Sequence, residues 1–175
     1  IISVNKIVLI GYMGVGKTVL GKKISENLKL AYYDLDDFIE KKVNLSVEDI
    51  FKSKGEIYFR RLERDCFEEL MLKDESFVLS VGGGTPCYYE NYKLLQSENV
   101  ISVYLKASIT MLVERLKTEK KTRPLVARLT NEQLLEFVGK HLFERNFYYN
   151  KAKHTVEVDG KSTSKISEEI ISLLG

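Results

Sequence analysis

The sequence predicts an α/β fold, a parallel sheet with helices on both faces, built as a single domain over residues 1–175. Three observations lead there. Short apolar runs at residues 6–10, 77–81 and 100–105 lack polar alternation, the pattern of strands buried on both sides. Between them, apolar residues recur every three or four positions, which is the spacing of one helix face. Strand and helix signals also alternate along the chain, as parallel βαβ units require.

Taken in order, the first strand (KIVLI, 6–10) ends at Gly11, and from Thr18 the period changes. Leu20, Ile24 and Leu28 then stand four apart, so a helix begins there. A second strand at 31–33 leads into the acidic stretch Asp34-Leu35-Asp36-Asp37. Ser46 and Asp49 have capping-box spacing at the start of a helix through Ile50 and Phe51. A longer helix follows Gly55, with Phe59, Leu62, Cys66, Phe67 and Leu70 on one face. The third strand, 77–81, closes on Gly82-Gly83-Gly84. The fourth, 100–105, precedes a helix carrying Ile109, Leu112, Val113 and Leu116. Residues 117–128 are charged, contain Pro124 and read as a lid. A helix at 131–149, a short strand at 155–158 and a last helix bearing Ile166 and Ile170 complete the chain.

Composition narrows the function. Lys and Arg total 27 against 25 Asp and Glu, a net charge of +2, too little for a dedicated nucleic-acid or membrane-surface protein. Cys66 and Cys87 form no CxxC pair, which suits thiols in a reducing compartment. No apolar run approaches the roughly 20 residues of a membrane helix, and the N-terminus has no signal-peptide pattern. A soluble, cytoplasmic, monomeric protein is expected, with no nucleic-acid or membrane partner. His141 and His154 have no metal-ligand spacing.

Gly11-Tyr12-Met13-Gly14-Val15-Gly16-Lys17-Thr18 fits the phosphate-loop pattern G-x-x-x-x-G-K-[ST], with a strand before it and a helix after it. Glycines let backbone N–H groups turn toward phosphate oxygens, and the helix start adds its positive dipole end. Lys17 adds a charge at the β- and γ-phosphates, and the Thr18 hydroxyl can ligate Mg²⁺. The guanine-reading Asn-Lys-x-Asp of GTPases is not matched, since Asn150-Lys151-Ala152-Lys153 has Lys in the last place. A nucleoside monophosphate kinase would usually have Gly between the loop lysine and threonine, which are adjacent here.

Further strings follow. They are Asp34-Leu35-Asp36, Ile50-Phe51, Gly55-Glu56, Phe59-Arg60-x-x-Glu63, Leu79-Ser80-x-Gly82-Gly83-Gly84, Arg123-Pro124-Leu125 and Glu144-Arg145-Asn146. In this order, from Gly11 to Tyr149, the chain resembles shikimate kinase. The resemblance implies a phosphate-loop sheet in the order 2-3-1-4-5, a mobile lid at about 117–128 and a shikimate-binding region at about 34–64. It implies transfer of the ATP γ-phosphoryl to the 3-hydroxyl of shikimate, on the route to chorismate and the aromatic amino acids. ATP would then meet Gly11, Met13, Gly14, Val15, Gly16, Lys17, Thr18, Arg115 and Arg123, with Arg115 stacking on adenine and Arg123 reaching the transferred group. Shikimate would meet Asp36, Arg60, Gly82, Gly83, Gly84 and Arg145, the two arginines clamping its carboxylate. Lys17, Asp36 and Arg123 would be catalytic. One Mg²⁺ per subunit would come with ATP, held by Thr18 and, through water, by Asp34 and Ser80. The sequence departs from the family at Phe147, where proline is frequent, and in the loop 159–162, which lacks a proline many members have.

Plainer readings exist for the same residues. The acids at 34–37 suit a helix N-terminus, Arg60 and Arg61 could be surface ion-pair partners, and the glycines could form a simple turn. A gluconate kinase on the same scaffold, or a non-catalytic nucleotide-binding protein, are the rival functions. Lys17, Thr18, Asp36 and Arg123 together speak against the second, which needs neither base nor lid arginine.

Overall fold

The computed structural model describes residues 5–119, 123 and 126–175. The elements are β1 (Lys6–Ile10), α1 (Lys17–Leu28), β2 (Ala31–Asp34), α2 (Leu35–Val43), α3 (Val47–Lys54) and α4 (Glu56–Met71). They continue with β3 (Phe77–Ser80), β4 (Val100–Lys106), α5 (Ile109–Glu119), α6 (Asn131–Tyr149), β5 (His154–Glu157) and α7 (Thr163–Ser172). Two short 3₁₀ turns, Thr85–Cys87 and Asn91–Gln96, join β3 to β4.

The five strands pair in parallel in the order β2-β3-β1-β4-β5, as expected. Every residue of central β1 is buried. Its side chains alternate between two cores, Ile7 and Leu9 against one face and Val8 and Ile10 against the other. The first core packs α1, α5, α6 and α7 through Ile24, Leu116, Leu134 and Ile170; the second packs α2, α3 and α4 through Ile39, Ile50 and Phe67. The connection from β1 runs toward β2 at one edge of the sheet, and that from its neighbour β4 runs toward β5 at the other. The crevice opens at the carboxyl ends of these strands.

The acidic stretch after the second strand begins a helix: Asp34 ends β2 and caps α2, its Oδ1 accepting from the Asp37 N–H at 3.1 Å. Asp36 and Asp37 stand in the first turn of the same helix. The expected lid begins too early, because α5 stays helical through Lys117 to Glu119, with Leu116 buried beneath it. Residues 120–122, 124 and 125, the middle of that stretch, lie outside the described residues, so the lid expectation falls largely on them. No described helix is long and apolar enough to cross a membrane.

Candidate active site

The phosphate loop joins β1 to α1 and is shaped by glycine where the chain needs it. Gly16, the N-cap of α1, has φ 105°, a left-handed value that leaves the following N–H groups facing outward. Lys17 folds back over its own loop, its Nζ donating to the carbonyls of Gly11 and, at 3.2 Å, of Tyr12. Burial pulls its pKa down to about 8, against the opposing pull of Asp36. Behind it, α1 lies close on the sheet because residue 21 is glycine. A Cβ there would stand 2.4 Å from the Tyr32 ring and 2.9 Å from Ser80 Oγ. That approach lets Ser80 Oγ donate to the Lys17 carbonyl at 2.9 Å.

Two arginines, one on α5 and one beyond it, stand at the same cleft. Arg115 Nη1 donates to the carbonyls of Gly14 at 3.1 Å and Val15 at 2.8 Å, so its guanidinium braces the loop from α5. Arg123 lines the cleft and donates from Nε to Glu119 Oε2 at 2.7 Å.

Asp36 is the second residue of α2, in its first turn, and it and Asp34 both face the cleft. Burial, then the charges of Asp34 and Glu63, lift its pKa to about 7 despite Lys17 nearby. Burial also raises the Asp34 carboxyl, with its cap bonds opposing. Asp36 Oδ1 lies opposite Gly82, 3.8 Å from where a Cβ would stand.

Beyond the glycines, two arginines converge. Arg60 turns inward on α4, its side chain 13% exposed, whereas its neighbour Arg61 is exposed, so the surface-pair reading fails for Arg60. Nη1 of Arg60 bonds Glu63 Oε1 at 3.0 Å. Arg145 approaches from α6, its Nη1 3.2 Å from where a Cβ on Gly83 would stand. A Cβ on Gly84 would lie 2.7 Å from Arg60 Nη2. Gly83 is the joint between the halves: its would-be Cβ also lies 3.4 Å from the Met13 amide, and its carbonyl accepts from Tyr149 at 2.6 Å.

The cleft of about 550 Å³ thus brings together the phosphate loop from Met13 to Thr18, Asp34, Asp36, Ser80, Gly82, Gly83, Arg115 and Arg123. Gly11, Gly84, Arg60 and Arg145 do not line this cleft themselves; the two arginines stand against Gly84 and Gly83 beside it. Three contributors were missed. Glu63, 1% exposed, holds Arg60 and accepts from Thr85 Oγ1 at 2.8 Å. Its place three residues after Arg60, on the apolar face of α4, was the available signal. Lys161 and Thr163 line the nucleotide end from the start of α7, for which no local pattern spoke.

The described residues hold no group of three or more His, Cys, Asp or Glu able to grip a metal alone. They do fit a Mg²⁺ ion carried by phosphates, which needs only one or two protein oxygens and water. Exposed Thr18, half-buried Asp34 and buried Ser80 all line one cleft and offer such oxygens.

The shikimate kinase family profile matches residues 13–175. A shikimate kinase of Flavobacterium psychrophilum is 49% identical over 170 residues, covering 97% of this chain and 99% of that protein. A crystal structure of shikimate kinase from Bacteroides thetaiotaomicron superposes with TM-score 0.89 at 31% identity, over 97% of this chain and 98% of that one. Shikimate kinase from Acinetobacter baumannii in complex with shikimate gives TM-score 0.86 at 29% identity, over 98% and 93% of the two chains. The chain belongs to the shikimate kinase family.

Proposed function

We propose that this cleft transfers the γ-phosphoryl group of ATP to the 3-hydroxyl of shikimate, with Asp36 receiving that hydroxyl. The chain is an ATP-dependent kinase of the route to chorismate and the aromatic amino acids, and its products are shikimate 3-phosphate and ADP. One observation carries the assignment of residues: the place of Asp36. It stands between Lys17 and the arginine-flanked glycines, where a phosphate in the loop and an acid held by arginines would meet.

ATP places its phosphates against the loop N–H groups and Lys17, which leaves its carbonyl partners for the anion. Arg123 stands across the cleft to meet charge on the transferred group, where preorganised cations lower the barrier most. Arg60 and Arg145 hold the shikimate carboxylate and so present the ring to Asp36. A carboxyl raised to about 7 is poised to exchange a proton near neutrality. Thr18, with Asp34 and Ser80 through water, would hold one Mg²⁺ with ATP, which neutralises charge on the β- and γ-oxygens. The enzyme works as a cytoplasmic monomer, with ATP and shikimate as its partners.

The test separates two acids. Asp36→Asn nearly abolishes turnover while Mg·ATP binding survives. Asp34→Asn raises the Mg²⁺ concentration needed for half-maximal rate and leaves shikimate affinity little changed. Magnesium and shikimate titrations of both variants decide it; exchanged defects would show the two roles to be misplaced.

A further inference from the structure

Arg60 is held more firmly than an ion pair alone would hold it. Its guanidinium carbon lies 4.1 Å from the centroid of the Tyr88 ring and 5.3 Å from that of Phe59. Tyr88 follows the 3₁₀ turn Thr85–Cys87, which the glycine run feeds directly. The Tyr88 hydroxyl donates to Glu56 Oε1 at 3.1 Å, and that oxygen is 3.9 Å from Arg60 Nε. Glu63 takes Nη1. Nε itself is buried and has no hydrogen-bond partner among the described residues. A buried guanidinium N–H without an acceptor is costly, which suits a group kept ready for an incoming anion.

A guanidinium is planar and makes paired bonds to a carboxylate only when its plane is set correctly. Nothing in the Glu63 contact alone fixes that plane, because one bond leaves rotation about it. A ring stacked at 4.1 Å does fix it, and attracts the cation through its π-face.

We propose that Tyr88 is a positioning residue for the substrate carboxylate: its ring, tethered through Glu56, sets the plane in which Arg60 receives the acid group. The proposal rests on the reading that Arg60 binds that carboxylate. Tyr88 acts through Arg60, so its effect belongs to the acceptor side of the reaction and leaves nucleotide untouched.

The experiment is a mutant cycle with KM and kcat measured for both substrates. Tyr88→Leu raises KM for shikimate about tenfold, the loss expected of a partly desolvated cation–π stack. It leaves kcat and KM for ATP within about twofold of the parent. Tyr88→Phe, which keeps the ring and gives up only the tether, restores most of the loss. In an Arg60→Ala background, Tyr88→Leu adds nothing further, since its target is gone. An equal multiplication of KM in both backgrounds overturns the proposal, as does equal damage to both substrates or failure of Tyr88→Phe to rescue. If Arg60→Ala itself leaves shikimate KM unchanged, the clamp reading fails instead, and the two failures are told apart.

Discussion

Lys17 and Asp36 are charged side chains held where burial disfavours their charge, and both predictions at this scale follow from that. Lys17→Met removes a cation placed in advance for developing phosphate charge, so turnover falls about a hundredfold or more, measured as initial rate at saturating substrates. The protein stays folded by circular dichroism, because Lys17 packs no core. For Asp36, the folded value of about 7 lies above the roughly 3.9 of an unfolded chain. A raised carboxyl stabilises the fold in its acid form, fully below the unfolded value, and that contribution is lost as pH rises through about 7. Ligand-free Asp36→Asn therefore melts above the parent at pH 8, and the gap closes toward pH 4. A gap that does not change with pH would remove the cause. Both residues were legible in the sequence, Lys17 by its loop and Asp36 by resemblance. The brace of Arg115 on the loop carbonyls was not, since it depends on how α5 lies over residues a hundred positions earlier.

Elements decide how closely backbones meet. The α1 helix rests on β2 and β3 through Gly21, and a methyl there strikes the Tyr32 ring at 2.4 Å. Gly21→Ala should cost about 1–3 kcal/mol as overpacking, and it should weaken ATP as the Lys17 turn shifts away from Ser80. Urea unfolding with ATP titration checks this; an undisturbed variant would show that α1 has slack. Gly84→Ala sets a methyl against Arg60 Nη2, so shikimate affinity falls while ATP affinity holds, read by calorimetry with each ligand. The central strands β1, β3 and β4 could be read from their runs alone, because two-sided burial leaves them almost wholly apolar. The α2 helix was harder. It spans nine residues, and its cap, Asp34, is an acid that the phosphate loop made more natural to read as a metal partner. The start of the expected lid overlaps α5, which runs on through Lys117 to Glu119 over buried Leu116.

At the scale of the molecule, the sheet order places two chemistries at one edge: a loop for phosphates after β1 and a glycine run flanked by arginines after β3. Neither alone names an acceptor, since gluconate too carries a carboxylate and hydroxyls. On the proposed reading, shikimate is selected by the spacing of the arginine pair and Asp36 along a rigid ring, a property of the assembled crevice that no single motif encodes. The direct measurement is coupled ADP release with shikimate, gluconate, AMP or no acceptor at equal concentrations. The account predicts turnover with shikimate alone, at a rate at least about a hundredfold above every other arm, the discrimination a site built to bond its substrate reaches readily. Comparable ADP release with gluconate, or release independent of any acceptor, would contradict it.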